Sequence, residues 1–290
     1  MVTLLMCRPD FFDVSYSINP WMHPSDWQSN ATVLLQQAKN GWRAMEDTLK
    51  SLGVSVKLIT PQPSLPDMVF TANAAIVLDG KVLLSRFRHK ERQGEEKYFA
   101  DFFNKLKEDG TVSEVQSFPK NIFQEGAGDC TWDSIRQIFW AGYGARSSKD
   151  AIPFIETYFN KPVVALQLAT EEFYHIDVSL CPLSGGHVMY APEAFTKESI
   201  CIIQEHVARD KLIAVDPEDA RNFALNSVNL QDKIILSGCS KKLENLLKEQ
   251  GYSVIMTPVE TFAMSGGSVF CMTLRLDWLS SQTFEGGNPF

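Results

Sequence analysis

A strand, a tight hairpin, an amphipathic helix and a further strand follow one another in this chain, and the set returns about every 50–60 residues. Short runs rich in Val, Ile, Leu and Phe, bounded by Gly, Pro, Asn or Asp, predict strands. They fall over residues 4–7, 54–59, 75–78, 81–85, 138–140, 163–167, 178–181, 187–190, 212–215, 233–237, 253–257 and 269–274. Helical periodicity predicts helices over 27–51, 91–107, 150–159, 192–207 and 241–250, the last stopping before Gly251. Leu78-Asp79-Gly80-Lys81 has the composition of a two-residue hairpin turn, and Ser184-Gly185-Gly186 joins two more strands. No long linker, charge run or low-complexity stretch interrupts the series. Residues 1–290 are therefore expected to form one α/β domain built from several modules.

The net charge of -8 argues against a general nucleic-acid binder, which would present a basic surface. No stretch approaches the roughly 20 apolar residues of a membrane span, and the apolar run at residues 2–7 is too short for a signal-peptide core. The expected compartment is the cytoplasm. None of the six cysteines forms a CxxC pair or lies near a histidine at zinc-ligand spacing. Each is by default a small buried apolar residue, and one of them is available as a nucleophile. No metal or organic cofactor is expected.

Three segments look unlike ordinary core. In Phe123-Gln124-Glu125-Gly126-Ala127-Gly128-Asp129 two carboxylates are held four residues apart by a glycine-rich loop. Such a pair suits a planar cation with a fork of N–H donors, although a plain solvated turn has the same composition. In Phe173-Tyr174-His175-Ile176-Asp177 an extended backbone would put His175 and Asp177 on one face, the arrangement of an oriented general base. In Met264-Ser265-Gly266-Gly267-Ser268-Val269-Phe270-Cys271 a Gly-Gly turn feeds a predicted strand carrying a cysteine, which makes Cys271 the best nucleophile candidate of the six. A fourth segment, Pro66-Asp67-Met68-Val69-Phe70-Thr71-Ala72-Asn73, sets Asp67 and Asn73 around an apolar centre.

Taken in order, acid–Gly–acid, His-x-Asp and Gly-Gly-x-x-x-Cys, from Cys7-Arg8-Pro9 to Cys271-Met272-Thr273, the chain resembles the guanidino-group-modifying superfamily. The resemblance implies the pentein fold, an α/β-propeller of five ββαβ-type modules around a pseudo-fivefold axis with the active site in its central channel. It implies Cys271 as nucleophile toward a guanidinium carbon and His175 as acid and then base. Glu125, Asp129 and Asp177 would orient the guanidinium and the histidine. Arg146 would pair with a substrate carboxylate, Asp67 with its α-ammonium, and Asn19 and Asn73 would line the substrate. Arg92 matches a helix position that a structural role would explain; His23, His89, His187 and His206 are given no role.

Within the superfamily, Phe70-Thr71-Ala72-Asn73-Ala74 is similar to the dihydrolases, which remove two ammonia molecules. Asn19-Pro20-Trp21-Met22 is similar to the free-arginine form found at the front of longer cyanobacterial proteins. The expected function is hydrolysis of arginine or an arginine derivative at its guanidine C–N bonds, with the small guanidine as the only partner implied and a homodimer compatible with flat outer helices. Dimethylarginine dimethylaminohydrolase, arginine deiminase and amidinotransferase chemistry stay open. A non-catalytic binding module of the same fold is the alternative of a different class; it would be expected to lose Cys271, His175 or the acids.

Overall fold

The computed structural model describes residues 1–281. Its strands are β1 (Thr3–Cys7), β2 (Ser55–Ile59), β3 (Ala75–Leu78), β4 (Lys81–Leu84), β5 (Glu114–Ser117), β6 (Cys130–Asp133), β7 (Ile138–Tyr143), β8 (Val163–Gln167), β9 (Leu180–Pro182), β10 (Val188–Tyr190), β11 (Leu212–Ala214), β12 (Val228–Leu230), β13 (Lys233–Leu236), β14 (Ser253–Met256) and β15 (Leu274–Arg275). They form five three-stranded sheets, ordered β15-β1-β2, β3-β4-β5, β6-β7-β8, β9-β10-β11 and β12-β13-β14. In each sheet the first two strands run antiparallel and the third lies parallel to the middle one. A parallel pair needs a crossover. The main helix of each crossover is, in chain order, Ala31–Ser51, Glu95–Glu108, Ala151–Phe159, Lys197–His206 and Lys241–Glu249, with short helices Pro24–Gln28 and Lys90–Gln93 ahead of the first two. The expected ββαβ repeat is present five times, with the first sheet completed by the last strand, where Leu5 pairs with Leu274.

Local chemistry explains the joints. Asp79 and Gly80 both have positive φ, 54° and 72°, as a two-residue hairpin between twisted strands requires. Ser240 caps its helix by accepting from Leu243 N at 3.2 Å, and Thr196 caps Lys197–His206 by accepting from Ser199 N at 3.3 Å. The helix Ala31–Ser51 buries Ala38, Gly41, Trp42, Met45 and Leu49 along one stripe. No helix among the described residues is long and apolar enough to cross a membrane.

Several boundaries differ from the sequence expectation. The helix expected over 27–51 is broken at Ser29 and Asn30, residues whose side chains compete with helical backbone, and restarts at Ala31. The helix expected over 192–207 begins at Lys197, and Pro192–Ala194 is a separate short turn. β5, β6 and β12 carry too few apolar residues to be seen; β5, Glu-Val-Gln-Ser, is a half-exposed edge strand. Two corrections bear on chemistry. Ile176–Val178 is a tight 3-10 turn ahead of β9, so residues 178–181 do not form one strand. Residues 269–273 form a buried turn, and only Leu274–Arg275 extends.

Candidate active site

The segments that lead into the first strand of each sheet converge. They are Thr71–Ala74 before β3, Gly126–Gly128 before β6, Ile176–Val178 before β9, Asn226-Ser227 before β12 and Ser268–Thr273 before β15. The first three pack against one another in series, and Ala72 N donates to the Cys271 carbonyl at 3.0 Å. Glycine makes the approach possible. A Cβ on Gly128 would stand 2.2 Å from Asn73 Nδ2, and Gly126, at φ +67°, would place one 2.6 Å from the Ala72 carbonyl.

Cys271 is buried on its turn. Its Sγ lies 3.1 Å from Asp177 Oδ2 and 3.1 Å from Asn226 Nδ2. Burial and then the Asp177 carboxylate push the thiol well above its usual value. Burial also raises the Asp177 carboxyl, to about 7, with the sulfur and Asn226 hydrogen bonds opposing the rise. Asp177 Oδ1 has no hydrogen-bond partner among the described residues.

His175 and Asp177 do not form the same-face pair expected of a strand. The 3-10 turn that starts at Ile176 sends the two side chains to different neighbours. His175 Nε2 meets Glu125 Oε2 at 2.8 Å and lies 3.8 Å from Asp129 Oδ2. Glu125 Oε2 also accepts from Arg146 Nη1 at 2.8 Å, and its Oε1 accepts from Arg88 N at 3.2 Å. Burial alone would raise Glu125, but Arg146 and the His175 hydrogen bond outweigh it and hold the carboxyl well below the usual range. Asp129 accepts from Ser147 Oγ at 2.6 Å and Ile176 N at 3.0 Å. Burial raises it to about 6 despite the nearby His175. The two carboxylates of the glycine loop thus face protein cations and donors and shape the surroundings of His175.

A space of about 250 Å³, counting its open mouth, lies in front of Cys271, lined by Asn19, Asp67, Asn73, Arg92, Arg146, Tyr174 and Ser265 among others. Asp67 accepts from Ser265 Oγ at 3.0 Å and Tyr16 OH at 2.8 Å. Asn19 spends its amide on Ser265 O and Trp21 N, at 3.1 and 2.9 Å. Arg146 stacks over the Tyr174 ring, 4.6 Å from its centre, and donates to Ile18 O. Asn73 Oδ1 accepts from Arg92 Nη1 at 2.8 Å, and its Nδ2 donates to Glu125 O at 3.0 Å. Arg92, read from sequence as structural, anchors to Glu95 and also lines this space. A larger space, about 1060 Å³ counting its open mouth, is bordered by strand residues such as Trp132, Leu180, Val228 and Leu274, and by Asp177. Cys271 lines the smaller space, and Asp177, in contact with it, lines the larger.

Of the nine site residues expected from sequence, Cys271, Asn73, Asp67, Asn19 and Arg146 line one space. Asp177 touches Cys271, and His175, Glu125 and Asp129 form an adjoining buried network. Sequence reasoning missed Asn226, Tyr16, Tyr174 and Ser265. Asn226 had a usable signal: like Asn73 before β3, it stands two residues ahead of its strand.

Among the described residues no cluster of His, Cys, Asp and Glu is arranged to hold a metal ion. The sequence model of the family described as eukaryotic N,N dimethylarginine dimethylhydrolase matches residues 13–277. The bifunctional arginine dihydrolase/ornithine cyclodeaminase ArgZ of Synechocystis is 43% identical over 275 residues, 95% of this chain and 38% of that protein. The chain therefore spans about two fifths of the length of that relative. The N(G),N(G)-dimethylarginine dimethylaminohydrolase of Mycobacterium tuberculosis is 32% identical over 93% of this chain and 84% of its own. A substrate-bound crystal structure of the N-terminal domain of ArgZ, an arginine dihydrolase, superposes with a TM-score of 0.90 at 41% identity, covering 97% of this chain and 100% of that one. With its match over residues 13–277 and its identity to these relatives along more than nine tenths of its length, the chain belongs to the N,N-dimethylarginine dimethylhydrolase family.

Proposed function

We propose that this chain is an arginine dihydrolase, converting arginine and two waters to ornithine, two ammonia and carbon dioxide. The observation that carries the reading is a buried thiol, Cys271, sharing one space with the neutral amide of Asn73 and the ionic groups Asp67, Arg92 and Arg146. Such a space suits a zwitterionic amino acid with a cationic tail. Arg146 and Arg92 offer donors for its carboxylate, and Asp67 an acceptor for its ammonium. The guanidinium then lies at Cys271 and Asp177, where its charge favours the thiolate that burial opposes.

Sγ attacks the guanidinium carbon, forming a C–S bond. The C–N bond to a terminal amino group breaks, and that nitrogen leaves as ammonia with a proton from His175. Water adds to the amidino carbon, giving a proton back to His175, and the thiolate departs to leave citrulline. In the second round Sγ attacks the ureido carbon and the remaining terminal nitrogen leaves as ammonia. Water cleaves the thiocarbamate, and the resulting N-carboxyornithine loses carbon dioxide. Glu125, fixed by Arg146, and Asp129 orient the imidazole through both rounds. The role of Asn73 follows from its type: an amide both donates and accepts, so it can hold a neutral urea where a carboxylate would favour only the cation.

We also infer that the five modules close into a ring, a five-bladed propeller forming one catalytic domain. Two features support this: each module contributes one segment to the site, and β15 joins the last module to the first. All six cysteines are free thiols, which favours a reducing compartment, the cytoplasm.

The test is a product count with purified protein and L-arginine. Two ammonia per ornithine, together with consumption of added citrulline, is the expected result. Citrulline accumulating as sole product would overturn the dihydrolase reading in favour of a deiminase. Turnover of dimethylarginine but not arginine would move the protein to the activity for which its family is named.

A further inference from the structure

We propose that Asn226 is a catalytic residue of this site, a fixed side-chain donor to the thiolate of Cys271. The proposal rests on Cys271 being the nucleophile. Asn226 is fully buried and lies 45 residues from Cys271 in sequence. Its Oδ1 accepts two backbone hydrogen bonds, from Cys271 N and Ser268 N, each at 3.1 Å. Its Nδ2 donates to Cys271 Sγ at 3.1 Å and to the Asp177 carbonyl at 3.3 Å.

All the hydrogen-bonding capacity of the amide is therefore assigned. Turning it over would set an NH2 group against two N–H donors and leave the sulfur facing a carbonyl oxygen. Only one orientation satisfies the network, and in it an N–H points at Sγ.

The sulfur needs such a donor. Burial and the Asp177 carboxylate both oppose its ionisation, whereas the Ser268 backbone and then the Asn226 hydrogen bond favour it. During attack on arginine, the substrate's own positive charge compensates. During attack on the ureido group of citrulline, the substrate is neutral and brings no such charge. A dipole built into the protein and already oriented stabilises the thiolate in both rounds without rearrangement. It also fixes the loop that carries the cysteine, so Cα and Sγ are held by the same side chain.

Asn226→Asp and Asn226→Ser together separate these contributions, because both withdraw the N–H from Sγ and only the first adds a negative charge beside it. The carboxylate keeps an acceptor for Cys271 N and Ser268 N but turns an oxygen toward Sγ. The experiment follows alkylation of Cys271 by iodoacetamide against pH, read on the Cys271 peptide by mass spectrometry, alongside kcat and KM for arginine and for citrulline. Asp67, Arg92, Arg146, Tyr174 and Asp177, the charged and titratable groups around the sulfur and its space, are the same in variant and parent.

The expected result is a rise of about one pH unit or more in the alkylation midpoint and a fall in kcat of about tenfold or more. The fall should be larger on citrulline than on arginine, with KM for arginine within about threefold. A folded Asn226→Asp protein with the parent's alkylation profile and kcat overturns the proposal and leaves Asn226 a loop anchor. Asn226→Ser, whose hydroxyl stands about where Cγ does and so cannot reach Sγ, adds no charge; a parent-like alkylation midpoint in it likewise overturns the proposal, and it serves also if Asn226→Asp fails to fold. Alkylation needs no turnover, so a parent enzyme inactive on arginine would sink the proposed function and still leave the thiolate question decided.

Discussion

Replacing Asp177 with asparagine should make the protein's stability respond differently to pH, by an amount the structure sets. The Asp177 carboxyl moves from 3.8 to about 7 on folding because it is buried. Its folded pKa is raised, so the native state prefers the protonated form. The associated stability is fully present below pH 3.8, is lost as pH rises toward 7, and is flat above that. The whole span corresponds to roughly 4 kcal/mol. Between pH 5 and pH 8 about 2–3 kcal/mol of it falls away. Asp129, raised to about 6, and Glu95, raised to about 7, tilt the parent's profile the same way, so the parent's slope alone assigns nothing. The difference between Asp177→Asn and parent isolates this residue, because the amide of the variant cannot titrate. Urea unfolding followed by circular dichroism at pH 5, 6, 7 and 8 gives that difference directly. The variant should gain on the parent by about 2–3 kcal/mol across the series. A difference constant to within about 0.5 kcal/mol would mean that Asp177 stays charged in the folded protein, and the picture of a carboxyl neutralised beside a neutral thiol would be wrong.

Cys271→Ser should lower arginine turnover by about 10³-fold or more and change the unfolding free energy by about 1 kcal/mol or less; a parent-like rate would exclude the covalent route. Asn73→Asp should shift the product toward citrulline, because the new carboxylate loses the donor to Glu125 O and favours cations over a neutral urea; an unchanged ornithine-to-citrulline ratio, read by amino-acid chromatography, would count against that role. Gly41→Ala puts a Cβ 2.1 Å from the Pro258 carbonyl oxygen, backbone that cannot swing aside, and should cost about 1–3 kcal/mol in urea unfolding; a gain in stability, as helix propensity alone would give, would show that this helix is free to shift.

The modular plan was legible because hairpin turns and crossover helices are local. Asp79-Gly80 specifies its turn by itself, and the stripe Ala38, Trp42, Met45, Leu49 its helix. The chemical types at the site were also legible, since Glu125, Asp129, His175 and Cys271 stand in glycine-rich or otherwise irregular surroundings. Directions were not. Val269 and Phe270 look like a strand, but their apolar character serves a buried turn launched by Gly266 at φ +88°. At His175 a period of two and a 3-10 turn give opposite partners, and the choice depends on Asp129 accepting from Ile176 N, a contact 47 residues away in sequence. Asn226 sits in no glycine motif; only its register ahead of β12 marks it.

The pairing of β1 with β15 has a consequence for the timing of synthesis. Leu4 and Leu5 leave the ribosome about 270 residues ahead of their partners Arg275 and Leu274. Thr3 waits as long for Asp277, whose carboxylate accepts from its backbone N at 2.8 Å. Contacts so distant in sequence form late, and the modules between them are made in the interval. The strand that completes the first sheet directly follows the turn that carries the thiol. A nascent or prematurely released chain that stops short of Cys271 therefore lacks the nucleophile and the closing strand together.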